Sequence, residues 1–367
     1  MLEMAIGVVS LSGLTAFLAL LLEWADSYFA DYGECHISIN GGEKVLTVQG
    51  GGKLLGTLMD NGIFVPSACG GRGSCGLCKV KVLEGGGPIL PTETPYMEPQ
   101  EIENKVRLSC QIKVRNDLVI EIPEELFLIK EYQTRVAAIR ELTHNIKEIT
   151  LKLVDPPEIT FKPGQFIQLE VPEYAESPEP VYRAYSMCSA ASRPTEVKLV
   201  ITRVEKGIAT TYIHDYLKEG DPVTINGPYG EFYLRDTDRE ILMIATGSGL
   251  APLMSLLHQM ADEGIQRKAT LFFGVRAKKD LFYRDELEAF RQKLPDFDYV
   301  LVLSSPDPED QWDGETGLVT DAVERRFNDL SEMEAYLCGN PFMIDAAVKL
   351  FTSKGIPEER IYYDKFG

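Results

Sequence analysis

Cys69, Cys75 and Cys78 are spaced C-x5-C-x2-C, and Cys110 follows after a longer interval. Four thiolates so arranged can hold the two irons of a [2Fe–2S] cluster, two ligands to each iron. Gly70, Gly71, Gly73 and Gly76 lie among the first three cysteines. They free the loop to bend tightly around an inorganic core and aim backbone N–H groups at its sulfurs. Hydrogen bonds of that kind favour the reduced, more negative state and so tune the potential. The alternative is a structural zinc site, which would be expected to show two C-x2-C pairs. Only one such pair is present, and a glycine-rich ligand loop adds nothing to a closed tetrahedral zinc. Cys35, Cys188 and Cys338 stand alone. An odd, unevenly placed set of cysteines is not a secreted disulfide scaffold and points to a reducing compartment.

Two further constellations could bind phosphates. Arg183-Ala184-Tyr185-Ser186 sets a fixed cation two residues from an aromatic ring, suited to a pyrophosphate beside a flat isoalloxazine. Gly207-Ile208-Ala209-Thr210-Thr211 then opens a helix, with Gly207 permitting close approach and Thr210 expected at an N-cap, an anion site for the same pyrophosphate. Each motif alone could be ordinary surface; together they suggest a flavin. Thr246-Gly247-Ser248-Gly249-Leu250-Ala251-Pro252 follows an apolar strand and opens another helix. Gly247 and Gly249 let the backbone approach a dinucleotide pyrophosphate, and Pro252 is acceptable in a first turn. An ordinary βα turn is the plainer reading. Cys338-Gly339-Asn340-Pro341 ends a later strand, where Gly339 again allows close approach and Cys338 could equally be a core residue.

Three kinds of element must position these groups. A hairpin (Cys35 to Asn40, Lys44 to Val48), a short helix (Leu54 to Asp60) and a strand (Lys79 to Leu83) predict a small α+β, β-grasp-like unit closing near Pro123. Alternating strands from Arg135 to Asn226, punctuated by Pro-Gly and Asn-Gly and interrupted by a helix at Thr210 to Leu217, predict an antiparallel β-barrel, with Arg183 just after one of its strands. From Glu240 apolar strands alternate with helices, which predicts an α/β parallel sheet covered on both faces.

The chain of 367 residues suits a multidomain protein, and its net charge of −19 excludes nucleic-acid binding as a main role. Met4 to Leu22 carries no charge. As a helix it would span about 28 Å, close to the thickness of a bilayer core, and Met1 to Glu3 lacks the basic start of a signal peptide. A single transmembrane anchor is therefore expected. Acidic flanks on both sides give no orientation. The expected domains are an anchor at 1–32, a [2Fe–2S] domain at 33–127, a flavin barrel at 128–236 and a nucleotide-binding domain at 237–367. His36, His144, His214 and His258 are scattered and read as surface or core.

The run PSACGGRGSCGLCKVKV, with LSC at Cys110, resembles the ferredoxin domain of the F subunit of the sodium-translocating NADH:quinone oxidoreductase, which also has an N-terminal membrane helix. The resemblance covers almost the whole chain. It departs from that family in the short connection between Pro172 and Arg183, where the family carries a long insertion. The flavin and nicotinamide motifs resemble those of the ferredoxin–NADP reductase superfamily, with Asn340 where that superfamily commonly has proline. The resemblance implies FAD rather than FMN, with Tyr185 stacked on the flavin, Ser186 facing N5, and Arg183 with Gly207 and Thr210 at the phosphates. It implies NADH rather than NADPH on the loop holding Thr246, Gly247, Gly249 and Pro252. Gly339 and Cys338 would then lie near the nicotinamide, and Phe366 would cover the flavin until nicotinamide displaces it.

The expected activity is hydride transfer from NADH to FAD and passage of single electrons to the cluster, then to a membrane or protein partner. The expected location is the inner membrane, single-pass, with the redox domains in the cytoplasm where NADH is. The reductase component of an oxygenase is the nearest alternative. A membrane-tethered electron carrier without enzyme activity is another.

Overall fold

The computed structural model describes residues 32–366, together with Gly13, Thr15, Phe17 and Leu18, which are helical. The expected anchor at Met4 to Leu22 otherwise lies outside the described residues. Among the described residues no helix is long and apolar enough to cross a membrane. The chain divides into two compact units, Met1–Ile129 and Lys130–Gly367.

The first unit is built on a five-stranded mixed sheet. β1 (Glu34–Ile39) and β2 (Lys44–Gln49) form the hairpin, and Cys35, Ile37 and Ile39 alternate into the core. The turn holds Asn40, Gly41 and Gly42 at positive φ, which explains its glycines. α1 (Leu54–Asp60) buries Leu54, Leu55 and Leu58. β3 (Lys79–Glu84) leaves the cysteine loop, followed by a five-residue helix α2 (Pro99–Glu103), β4 (Val106–Leu108) and β5 (Leu118–Glu121). The strand order is β2-β1-β5-β3-β4, with β5 parallel to β1.

No element is legible in the sequence between Leu83 and Pro123. Segments this short carry no periodicity of their own, and a buried ion pair organises them instead. Arg107 is 4% exposed and Glu93 is fully buried, with Nη2 and Oε2 2.7 Å apart. Arg107 also donates to the carbonyls of Gly86, Gly87 and Pro88, and Glu93 accepts from the N–H groups of Leu90 and Leu108. Both charges are thus fully hydrogen-bonded. Burial alone would raise the Glu93 carboxyl, but Arg107 and the two N–H donors outweigh it and hold it below the usual carboxylate range. A depressed carboxyl contributes stability above its unfolded pKa and loses it as pH falls through the folded value. Glu93→Gln should cost this unit about 3 kcal/mol near neutral pH, because Arg107 stays buried without its counter-charge. The penalty should shrink in acid below about pH 4. Denaturant midpoints measured across that range check it; equal midpoints for both proteins at pH 7 would defeat the assignment.

The second unit begins with six antiparallel strands: β6 (Lys130–Thr143), β7 (Ile146–Asp155), β8 (Phe166–Val171), β9 (Val181–Ser186), β10 (Glu196–Thr202) and β11 (Pro222–Tyr229). Their order is β10-β7-β6-β11-β8-β9. A bridge from Met187 to Leu199 brings the end of β9 back to β10, so the sheet curls towards closure. Two expectations need correction here. Arg183 does not follow a strand but lies within one, because β9 is the Val181–Ser186 segment itself and pairs along β8. The helix starts earlier than Thr210: α3 is Ile208–Thr211, Gly207 is its N-cap, and a π-helical turn follows at Tyr212–Tyr216. Thr210 sits inside the first turn and turns its hydroxyl back on the loop, accepting from Val204 N–H at 3.1 Å.

Five parallel strands and one short edge strand complete the unit: β12 (Glu240–Thr246), β13 (Ala269–Val275), β14 (Phe297–Leu303), β15 (Glu315–Thr316), β16 (Met333–Gly339) and β17 (Ile361–Lys365). α4 (Leu250–Glu263) and α5 (Arg284–Lys293) cover one face, and α6 (Val319–Arg326) and α7 (Pro341–Ser353) cover the other. Alternate residues of β12 serve the two layers: Ile241, Met243 and Ala245 face the first, Leu242 and Ile244 the second. The order β15-β14-β13-β12-β16-β17 reverses direction between β12 and β16. Chain connections leave these two strands on opposite faces of the sheet, which opens a crevice at their carboxyl ends. Both nicotinamide motifs sit there.

Candidate redox site

The cysteine loop brings the four sulfurs together as two pairs. Cys69 and Cys75 are hydrogen-bonded to each other, and so are Cys78 and Cys110. Among the described residues no three His, Cys, Asp or Glu side chains converge as they would around a single metal ion. Two thiol pairs fit the two irons of a [2Fe–2S] cluster, two ligands to each. The Cys75 thiol and the backbone N–H groups of Ser74, Arg72 and Gly73 hold Cys69 down to about 3 despite burial, while Cys75 is pushed up. Cys110 is held at about 6, chiefly by the Cys78 thiol, and Cys78 is raised. One thiol of each pair is thereby favoured as the thiolate, the form that binds iron. Gly70, Gly71, Gly73 and Gly76 all take positive φ. A Cβ at Gly76 would lie 2.9 Å from Tyr96 Cβ, so the loop has no room for a side chain there.

In the barrel, Val181 to Tyr185 are each half-buried and only Ser186 is buried. A strand packed on one face would alternate, so both faces of this one are partly covered and partly open. Arg183 Nη1 donates to the Tyr182 carbonyl at 2.7 Å, and Tyr185 packs against the rim of the barrel core. α3 packs beside β9. Its N-cap Gly207 leaves the first-turn N–H groups without an intrahelical partner. A half-exposed strand with an arginine and an aromatic beside a helix start that no side chain caps fits a flavin with a pyrophosphate tail. The connection that precedes β9 is short and tightly folded, with Tyr174 and Ser177 exchanging backbone hydrogen bonds.

At the crevice the two glycine motifs are locked together. A Cβ on Gly249 would fall 2.3 Å from the Cys338 carbonyl oxygen, and one on Gly339 would fall 2.3 Å from Thr246 Oγ1. Thr246 Oγ1 also accepts from the Asn340 N–H at 3.3 Å. Gly247 holds φ at 54°, and a Cβ added there would meet nothing within 4 Å, so its open side faces the crevice. Pro252 lies in the first turn of α4 and is buried. Asn340 replaces proline with a gain: it is the N-cap of α7, its Oδ1 accepting from Phe342 N–H at 2.8 Å. Phe366 is half-buried, and its N–H donates to the Gly339 carbonyl at 2.9 Å, which sets it at the crevice rim. Cys338 differs from the others. Its side chain is fully buried in the layer under α4, and burial raises its thiol well above the ordinary value. It meets the crevice through its backbone.

The flavin and nicotinamide motifs are mechanically joined. Three residues beyond Ser186, the carbonyl of Ser189 accepts from Ser255 Oγ of α4 at 2.8 Å, and Ser255 is fully buried. The glycine turn that opens α4 packs against β10. Sheet and barrel therefore hold the two ring sites in fixed register within this unit.

Residues 37–115 match the 2Fe-2S iron-sulfur cluster binding domain family, 133–233 the oxidoreductase FAD-binding domain family and 243–349 the oxidoreductase NAD-binding domain family. The F subunit of the Na(+)-translocating NADH-quinone reductase of Neisseria meningitidis is 37% identical over 410 aligned positions, covering all of both chains. Its counterpart in Idiomarina loihiensis is also 37% identical, over all of this chain and 99% of its own. The chain belongs to this family of F subunits. Among solved structures, an Amycolatopsis cytochrome P450 reductase superposes with a TM-score of 0.73 at 26% identity, covering 90% of this chain and 98% of its own. The ferredoxin reductase of carbazole 1,9a-dioxygenase gives 0.70 at 26%, covering 91% and 99%.

This member of the family also carries site residues that its motifs did not reveal. Gln111 Nε2 lies 3.4 Å from Cys110 Sγ. Cys188 is buried with its thiol pushed up to about 12, beside the Tyr283 hydroxyl, which donates to Glu148 across the barrel–sheet seam. Arg140 and Glu286 pair nearby at 2.6 Å. No local spacing signals these contacts, because each depends on how the folded chain packs.

Proposed function

We propose that this chain takes hydride from NADH on FAD and passes single electrons to a [2Fe–2S] cluster held by Cys69, Cys75, Cys78 and Cys110. The observation that carries the reading is the arrangement of the four thiols as two pairs. When bound, the flavin exchanges two electrons with nicotinamide and one at a time with the cluster. The protein's part is to bind and align. Arg183, Gly207 and Thr210 hold the FAD pyrophosphate, Tyr185 stacks on the ring and Ser186 faces N5. Thr246, Gly247, Gly249, Pro252 and Gly339 seat the NADH, and Phe366 shields the flavin until nicotinamide arrives. Cys338 acts as packing beneath the crevice, since hydride transfer needs aligned rings and no acid or base.

Anaerobic absorbance and electron paramagnetic resonance spectra taken before and after NADH test this. The first should show flavin bleaching and the second the signal of a reduced cluster; a colourless protein or stoichiometric zinc would overturn it. Arg183→Leu should weaken FAD retention about 10- to 100-fold, the worth of a charge-assisted hydrogen bond of about 1.5–3 kcal/mol. Flavin released on gel filtration reads this out, and undiminished retention would remove Arg183 from the site.

We further infer that residues 1–32 anchor the chain once in the inner membrane, with the redox domains in the cytoplasm and other subunits of a sodium-translocating, quinone-reducing complex as partners. The uncharged Met4 to Leu22 run and the full-length similarity to the Neisseria and Idiomarina proteins support this. The likeness to the Amycolatopsis and carbazole reductases supports a second reading, a reductase serving an oxygenase. Retention in carbonate-washed membranes, lost on deleting residues 1–32, separates the two.

A further inference from the structure

We infer that Gln111 is a positioning residue for electron transfer: its amide N–H donates to the Cys110 sulfur and raises the reduction potential of the cluster, with Thr92 fixing the direction of the amide. This rests on the reading of the four cysteines as [2Fe–2S] ligands and extends it to a residue that binds no iron.

The geometry is specific. Gln111 Nε2 stands 3.4 Å from Cys110 Sγ and 3.5 Å from the Cys110 carbonyl oxygen. An amide can point either end at a sulfur, and only the nitrogen end donates. The Cys110 carbonyl can only accept, so it keeps the nitrogen end on the Cys110 side, while Thr92 Oγ1 donates to Gln111 Oε1 at 3.0 Å and holds the other end of the amide. The amide also lies close against the ligand loop. A Cβ at Gly73 would be 2.5 Å from Gln111 Nε2, and Gly73 holds φ at 79°. The same glycine contributes an N–H to Cys69. One side chain thus touches both cysteine pairs' supporting backbone.

Thr92 is itself held in place. It belongs to the segment gripped by Arg107 through the carbonyls of Gly86, Gly87 and Pro88 and through Glu93. The buried ion pair therefore fixes the segment, the segment fixes Thr92, and Thr92 orients Gln111. An N–H aimed at a ligand sulfur stabilises the reduced cluster, which carries more negative charge, more than the oxidised one. Gln111 is half-buried, so the dipole is only partly screened.

The test is a redox titration of the full-length protein, followed by the electron-spin signal of the reduced cluster. Gln111→Met keeps the length of the side chain and removes the donor. It should lower the ratio of reduced to oxidised cluster at fixed poise about tenfold, which is about 59 mV for one electron. Thr92→Val leaves Gln111 in place but frees its amide, and should shift the ratio in the same direction by about threefold. Potentials unchanged in both variants, with spectra intact, overturn the inference. If Gln111→Met does not retain the cluster, the Thr92→Val titration alone decides in the same way. A wild-type protein with no cluster signal would instead sink the four-cysteine reading.

Discussion

Cys110→Ala should yield a protein whose flavin is still bleached by NADH but which shows no [2Fe–2S] electron-spin signal at any poise. The residue is fully buried and forms half of one of the two sulfur pairs, so alanine leaves one iron with a single protein thiolate. No other cysteine can move in: Cys35 is 1% exposed in the apolar core of the same unit and is hydrogen-bonded towards the carbonyls of Tyr32 and Gly33. Cluster loss should be complete, and single-electron output should fall by about three orders of magnitude or more, because removing a metal ligand removes the centre. Flavin chemistry should survive because the FAD and NADH motifs lie in a unit with its own hydrophobic cores. Iron and sulfide analysis beside stopped-flow flavin bleaching measures both halves. A variant retaining a full cluster signal would show that Cys110 is not a ligand.

Gly249→Val should abolish most NADH-driven flavin reduction, by about 100-fold, while leaving cluster content unchanged. The added Cβ would lie 2.3 Å from the Cys338 oxygen, 2.5 Å from its carbonyl carbon and 2.7 Å from Gly339 Cα, all of them backbone atoms. Backbone cannot swing aside as a side-chain tip does, so the turn and the end of β16 must part by about 1 Å. Overpacking of this kind costs about 1–3 kcal/mol in stability. A displacement of that size at a ring-alignment site costs about a hundredfold in rate. Gly247→Ala makes the contrast: its Cβ would enter open space, and its cost is only that of holding alanine at a φ of 54°, about 1 kcal/mol. It should raise KM for NADH more than it lowers kcat. Single-turnover flavin reduction distinguishes these; a normal rate for Gly249→Val would mean that the two loops do not set the nicotinamide's position.

Much of the site was legible because its chemistry is local. The cysteine ligands, their glycines and both phosphate turns are short runs whose residue types have few other uses, and the strand–helix rhythm from Glu240 onward carries its own period. Legibility failed where one residue of register matters. Thr210 was expected at the helix N-cap, yet Gly207 takes that place, because the loop closes when the Thr210 hydroxyl folds back on Val204. Arg183 was expected beyond a strand, yet it lies within β9, whose unalternating exposure hides it from a period-two reading. Arg107 and Glu93 look like solvated charges in the chain, and only the folded unit buries them together.

The residue types and spacings by themselves determined the cofactor classes and the three kinds of domain, since thiolates, glycine turns and hydrophobic periods are properties of neighbouring residues. Tertiary structure decided how the four sulfurs divide into pairs, which way Gln111 points, and that the Cys338 thiol faces the core while its backbone borders the crevice. Those outcomes depend on contacts between residues distant in the chain, and on which face of a strand packing covers, and neither is written in any local run of residues.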